Sequence, residues 1–372
     1  MSGQPLEGYV VVDFTTLLPG PLATLMLAEA GAEVIKVEKP GGEDMRRYPP
    51  RWSTDSAPFA LLNRGKRSVE LDLKAADAVE RLRPLLERAD VLVEQFRPGV
   101  MERLGLGYEA VKAMNPRIVY CSITGYGQSG PRANEAGHDL NYVGSTGLLA
   151  MAHGPIDKPV VPPALIADIG GGTFPAVSNI LMALLGREKS GVGTYLDIAM
   201  VDTNFTFSLY AQAQGTGTGT FPLPGDWLLT GGSPRYQLYP TSDERLVAVA
   251  AIEDRFWTVL CAAIDLAEEF RDDSRDRFAT RDAIAAIIRA KPASHWAPVF
   301  KQADCCVTIV ESLEAAMQDP HFRGRGLFDY TVTDAAGETL PAAVVPVAPQ
   351  FRSAETDGAV PPLGADNDRF LA

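Results

Sequence analysis

Positive charge is in short supply. The 372-residue chain has 34 Lys and Arg against 47 Asp and Glu, a formal net charge of −13. A surface that follows nucleic-acid phosphates needs the opposite excess, so no nucleic-acid partner is expected. An anionic small ligand stays compatible, because a local basic patch can sit on an acidic surface. Cysteine is also sparse: Cys121, Cys261, Cys305 and Cys306 include no CxxC pair. The adjacent Cys305-Cys306 is a poor frame for a disulfide or zinc site, so buried thiols in a reducing cytoplasm are expected, with no metal. No run approaches the roughly 20 apolar residues of a membrane span. No basic segment leading into an apolar block opens the chain, which adds to the expectation of a cytoplasmic protein away from the membrane. No internal repeat is visible. The first strand–helix turn lacks GxGxxG, so a dinucleotide is not indicated.

What is present reads as α/β. Tyr9 to Phe14 is a short apolar strand, Pro19-Gly20-Pro21 opens an apolar helix over Leu22 to Ala30, and Ala32 to Glu38 is the next strand. Strand, helix and strand with almost no linker form a βαβ unit with a parallel sheet. The alternation continues through strands at 68–73, 91–94 and 118–122, a doubly wound pattern. A buried helix is expected from Gly172 to Leu185. Large-domain sequence is expected over 1–190, a linker over 191–225, a small α/β domain over 226–310, a second linker over 311–319 and a return to the large domain over 320–372. The first linker rests on Gln214 to Thr220, a Gly/Thr repeat without apolar periodicity.

Three groups of residues could carry chemistry. Lys39, Arg46, Arg47, Arg64, Lys66, Arg67, Arg97 and Arg103 cluster in the first domain. Several fall on loops after strands, where open α/β sheets bind ligands, which favours a phosphate or pyrophosphate. Gly125-Tyr126-Gly127-Gln128-Ser129-Gly130 lets backbone N–H groups approach an anion or a carbonyl oxygen, although any tight turn would use similar residues. One of only four histidines stands in Gly137-His138-Asp139, and Asp168 lies thirty residues on (168 − 138) in an apolar segment. A His and an Asp facing each other across a small substrate can move a proton at carbon. The same pair is compatible with a buried, hydrogen-bonded histidine, and Asp168 with a helix cap.

Taken together these motifs resemble the class III CoA-transferase and α-methylacyl-CoA racemase superfamily over nearly the whole chain. The resemblance is carried by Leu18-Pro19-Gly20-Pro21, Gly31 to Glu38, Asn63 to Ser68, Arg97-Pro98-Gly99, Glu102 to Gly105, Gly125 to Gln128, Asp319 to Phe322 and Pro361 to Gly364. Gly137-His138-Asp139 with Asp168, and Gly231 to Tyr236 with Ala251-Ile252-Glu253, resemble the racemase branch. That branch implies His138 and Asp168 as the two acid/bases of a 2-methylacyl-CoA racemase, with Glu253 hydrogen-bonding the histidine and Asp139 beside it. The transferase branch implies Asp168 as a nucleophile. A CoA-binding protein without catalysis is a third class. The resemblance further implies an acyl-CoA substrate held by Lys39, Arg64, Arg67, Arg97, Arg103, Gly125 and Tyr126. It implies no cofactor beyond the CoA on the substrate, and an interlocked homodimer. Three departures stand out: Arg235 replaces an apolar residue, Glu244 a turn glycine and Asp254 a proline. Arg235 is expected to suit a carboxylated acyl group. For the enolate oxygen, the backbone N–H groups at Asp168 and around Gly170 are the expected donors.

Overall fold

The computed structural model describes residues 3–53, 55–353 and 355–372. Two compact units emerge: one from the segments up to Thr146, Ala164–Phe207 and Pro320–Ala372, the other from Gly147–Pro163 and Ser208–Asp319.

The larger unit is built on a six-stranded parallel sheet. Its strands are β1 (Val10–Asp13), β2 (Glu33–Glu38), β3 (Arg67–Glu70), β4 (Val91–Glu94), β5 (Val119–Thr124) and β6 (Thr194–Ala199), in the spatial order β3-β2-β1-β4-β5-β6. β4 and β5 are buried along their whole length, as expected of apolar strands covered on both faces. The strand order reverses between β1 and β4. Ligands of open α/β sheets bind outside the carboxyl ends of the strands at such a switch point.

Helices cover the faces. α1 (Pro19–Glu29) starts on a proline, where the missing N–H costs nothing. α2 (Ala78–Arg88) buries Ala78, Leu82, Leu85 and Leu86, one stripe at helical spacing, in the main core. The free edge of β3 is closed by the carboxyl-terminal return. Asp366 Oδ2 accepts from Ser68 N–H (3.1 Å) and Asn367 Oδ1 from Glu70 N–H (2.8 Å), so few unpaired edge groups remain.

α3 (Asp139–Ser145) follows the glycine-rich loop after β5. Downstream, the helix expected from Gly172 begins earlier. Ile166–Thr173 is a π-helix that runs into α4 (Phe174–Ser190), so Asp168 lies inside a helical turn and does not cap one. Wide turns of this kind often mark functional sites. Among the described residues, Ile166–Ser190 is the one helical stretch long and apolar enough to cross a bilayer. Here Ala176, Val177, Ile180 and Leu184 bury one face, and the helix packs on β5, β6 and α1, as a layer helix does.

The stretch 191–225, expected as a linker, is largely regular. It supplies β6 and, in the smaller unit, α5 (Leu209–Thr218). The buried residues of α5 are Ala211 and Gly215, four apart but too small to register as an apolar stripe. Gly215 lies against the Phe221 ring, which a Cβ would meet at 2.1 Å. Gly147–Pro163 also belongs to the smaller unit, an excursion from the expected 1–190 block.

In the smaller unit, β7 (Tyr236–Pro240), β8 (Leu246–Ala250) and β9 (Val307–Ile309) form an antiparallel sheet with β8 in the centre. α6 (Asp254–Ala263), α7 (Arg277–Arg289) and α8 (Ala293–Ala303) pack on it through Trp257, Leu260, Ile284, Ile288, Trp296 and Phe300. Glu244, in the turn between β7 and β8, has φ +59°, the conformation for which glycine is the usual residue. Cys121, Cys261 and Cys305 are buried free thiols, and Cys306 is exposed.

Candidate active site

The carboxyl edge of β1 is set by buried charge. Asp13 ends the strand. Its Oδ1 accepts from Thr15 N–H (2.9 Å) and Thr15 Oγ1 (2.5 Å), and its Oδ2 from Thr24 Oγ1 (2.6 Å) and Lys66 Nζ (3.1 Å). Lys36 Nζ donates to Thr15 O (2.8 Å) and pairs with Glu43 (2.8 Å), whose second oxygen accepts from Leu17 N–H (2.9 Å). Leu17 is thereby held at φ +61°, unusual for a branched residue.

At the end of β4, Glu94 accepts from Phe96 N–H (2.8 Å), and Gln95 Oε1 accepts from Gly20 N–H (3.0 Å), tying the two switch-point loops together. Burial pushes the Glu94 carboxyl up to about 7.

Past β5, a Cβ on Gly125 or Gly137 would come within 2.6 Å of the Tyr142 ring. That close approach lets Tyr142 Oη donate to Gly137 O (2.5 Å) and seats the turn before His138. His138 is the N-cap residue of α3. Its N–H donates to Asn141 Oδ1 (3.1 Å), and its carbonyl accepts from Tyr142 N–H (3.2 Å). The next residue, Asp139, is buried, and its Oδ1 accepts from the N–H groups of Ala167 (2.7 Å) and Asp168 (2.9 Å). One carboxylate therefore pins the π-helix bearing Asp168 to the helix start bearing His138. Burial, with the Asp139 charge adding to it and His138 opposing, pushes the Asp168 carboxyl up to about 6.

His138 and Asp168 line one cavity of about 500 Å³ together with Thr16, Leu17, Gln95, Arg97, Gly125 and Tyr142. It opens where the strand order reverses. A second cavity of about 380 Å³ shares Thr16 and Phe96 with it and is lined further by Val37, Lys39, Leu73 and Lys74.

Comparison with known proteins gives the family. The profile of CoA-transferase family III matches residues 6–367. The alpha-methylacyl-CoA racemase of Mus musculus is 36% identical, over 95% of this chain and 90% of that one. The acetyl-CoA:oxalate CoA-transferase of Acetobacter aceti is 32% identical, over 84% of this chain and 82% of its own. Among solved structures, a CAIB/BAIF family protein from Brucella suis aligns with a TM-score of 0.83 at 27% identity, covering 99% of this chain and 98% of that one. The chain belongs to CoA-transferase family III.

In this family III chain the expected ligand residues divide. Arg97 and Gly125 line the main cavity, and Lys39 the second, where it is paired with Asp44 (2.7 Å). Tyr126 stacks edge-to-face on Tyr142 (centroids 5.3 Å apart) beneath the Arg132 guanidinium. Arg103 is exposed and folds over Gly99. Two residues go elsewhere. Arg64 is buried, paired with Glu29 (3.0 Å) and bonded to Leu61 O (2.7 Å), a structural role away from both cavities. Arg67 is the exposed first residue of β3, in register with Ile35 of β2, and lines neither cavity. Glu253 lies in the smaller unit as the N-cap residue of α6, with its side chain exposed.

Arg235 does not offer a free cation. Its Nε and Nη2 bond both oxygens of Asp273 (2.9 and 2.8 Å), and its Nη1 bonds Asp254 Oδ1 (2.7 Å) and Ile252 O (3.1 Å). Two carboxylates neutralise it, so the expectation of an acyl-carboxylate site there falls. The expected oxyanion donor at Asp168 is also engaged, by Asp139. Sequence reasoning missed Gln95 and the Asp13–Lys66 pair. Lys66 stood in the basic cluster, and nothing in the local sequence pairs it with Asp13, 53 residues away.

Proposed function

We propose that the protein is a 2-methylacyl-CoA racemase. The reading is carried by one observation: His138 and Asp168, from two elements joined through Asp139, line the same cavity. One group takes the proton α to the thioester carbonyl, the C–H pair of electrons passes into an enolate, and the other group returns a proton to the opposite face. Which acts first depends on the enantiomer. The enolate oxygen needs preorganised donors. With Asp168 N–H engaged, the orphan N–H groups at the amino end of α3, beginning at Asp139, are the candidates. Glu253 is assigned to orient His138. The CoA phosphates are assigned to Lys39, Arg97 and Arg103, and the acyl-CoA substrate brings the only CoA the reaction needs.

Proton NMR of a 2-methylacyl-CoA with enzyme in D₂O tests this. Loss of the α-proton signal with no acceptor acid present is expected, and its persistence would overturn the reading. The second reading, CoA transfer through an acyl anhydride at Asp168, is favoured by the 32% identity to a CoA-transferase; it predicts turnover only with an acceptor acid.

Phe174, Leu181, Met182 and Leu185 stand exposed along α4. An apolar face of this kind supports the homodimer, and a single-chain mass in light scattering would count against it.

The pH dependence has a definite sign. Asp168 acts as a base only when ionised, and its carboxyl is pushed up to about 6. In the direction where it accepts the proton, kcat/KM should fall roughly tenfold per pH unit below that value. Asp139→Asn removes the neighbouring charge while keeping an acceptor for the two N–H groups. It should shift this limb to lower pH, and an unmoved limb would assign the ionisation to another group.

A further inference from the structure

Glu253 is flanked by two residues that a single side chain holds. Arg235 Nη1 bonds the carbonyl of Ile252 on one side (3.1 Å) and the carboxylate of Asp254 on the other (2.7 Å). The guanidinium cannot drift. Its other edge makes two parallel bonds to Asp273 (2.9 and 2.8 Å), and its carbon lies 4.9 Å from the centre of the Trp257 ring. Trp257 is itself buried in the core of the smaller unit, and its Nε1 donates to Arg271 O (2.7 Å). Paired forks of this type fix orientation as well as charge.

Asp254 occupies the first helical position of α6, where a proline would preset the backbone. It has no ring to do so. The Asp254 side chain is 94% exposed and that of Arg235 18%, so the arginine reaches from the protein body to hold the helix start. The Glu253 side chain makes no capping bond. Its placement therefore depends on the backbone at 252–254, which Arg235 governs.

We propose that Arg235 is a positioning residue for Glu253, acting through Ile252 O and Asp254. The proposal rests on the assignment of Glu253 as the residue that orients His138. An Arg235→Leu variant keeps the Glu253 side chain but loses the bonds to Ile252 O and Asp254 on either side of it. Misplacement by about 1 Å costs up to about 10²-fold in rate.

The test is α-proton exchange into D₂O by the full chain and its Arg235→Leu, Glu253→Gln and doubly substituted forms, with circular dichroism to establish folding. Expected is a loss in kcat of roughly tenfold or more for Arg235→Leu with KM nearly unchanged, and no further loss on adding it to Glu253→Gln. Asp254→Ala, which cuts only the exposed arm, should give a smaller loss of the same kind and serves if Arg235→Leu fails to fold. Two results overturn the positioning role alone: an impaired Glu253→Gln beside an unimpaired Arg235→Leu, or losses that add in full. A fully active Glu253→Gln overturns the assignment of Glu253 and this inference together, as does an unsubstituted protein that exchanges no proton.

Discussion

Replacing His138 by alanine is expected to lower α-proton exchange by about 10²–10⁴-fold, the usual contribution of a general acid–base group. The loss should appear in both directions, because each enantiomer needs one group to take the proton and the other to give it back. The fold gives no reason for collateral damage. His138 holds the start of α3 through its backbone, to Asn141 Oδ1 and Tyr142 N–H, and both bonds survive in alanine. Thermal stability should therefore stay close to that of the unsubstituted protein while the rate falls. Transfer chemistry makes a different demand. There Asp168 attacks the thioester carbonyl and displaces CoA as thiolate, leaving an acyl anhydride, and His138 has no obligatory proton to move. Hydroxylamine added with acyl-CoA would then convert Asp168 into a hydroxamate. The outcome that removes the racemase reading is a modified Asp168 beside a His138→Ala variant of nearly full rate.

Much of this site was legible in the sequence, for reasons that can be located. The parallel sheet is visible because its central strands β1, β4 and β5 are largely apolar runs and its first helix opens on proline. His138 and Asp168 stand out as polar residues within apolar segments. Asp139 was legible as a neighbour, but its function was not: it bonds backbone N–H groups 28 and 29 residues away, and backbone donors leave no trace in residue identity. Arg64 and Arg67 show the converse failure. Both are basic and close to a strand, as a phosphate ligand would be. Arg64 instead meets Glu29, 35 residues back, and Arg67 is the first residue of its strand, where a ligand residue should follow one. Strand polarity was readable there and separates Arg67 from Lys39, which follows β2. Arg235, Asp254 and Asp273 are a third case. Two departures from the family pattern, each puzzling alone, prove to be partners in one ion cluster.

The buried pair beneath the switch point carries the largest expected effect on stability. Lys66→Met keeps most of the side-chain volume and removes the charge. Lys66 Nζ and Asp13 are both fully buried and 3.1 Å apart, and the ammonium also donates to Pro21 O (2.9 Å), Thr24 Oγ1 (2.8 Å) and Asn63 Oδ1 (2.8 Å). Taking away one partner strands a carboxylate in the interior, which costs about 3–5 kcal/mol in comparable buried pairs. Lys36 softens the loss, since its charge also acts on Asp13. The pH dependence follows from the same group. Burial alone would raise the Asp13 carboxyl, but Lys66, Lys36 and the hydroxyls of Thr15 and Thr24 hold it well below the usual carboxylate range. A depressed carboxyl contributes stability above its unfolded pKa of about 4 and loses it as pH falls toward the folded value. In Lys66→Met the carboxyl rises and takes a proton more readily. The stability gap between the two proteins, read from urea unfolding, should therefore be widest near neutrality and narrow in acid. Adding Asp13→Asn should restore part of the loss, because the stranded charge is gone. A gap that holds constant with pH, or a double variant no more stable than Lys66→Met, would place the cost in packing and not in the unpaired charge.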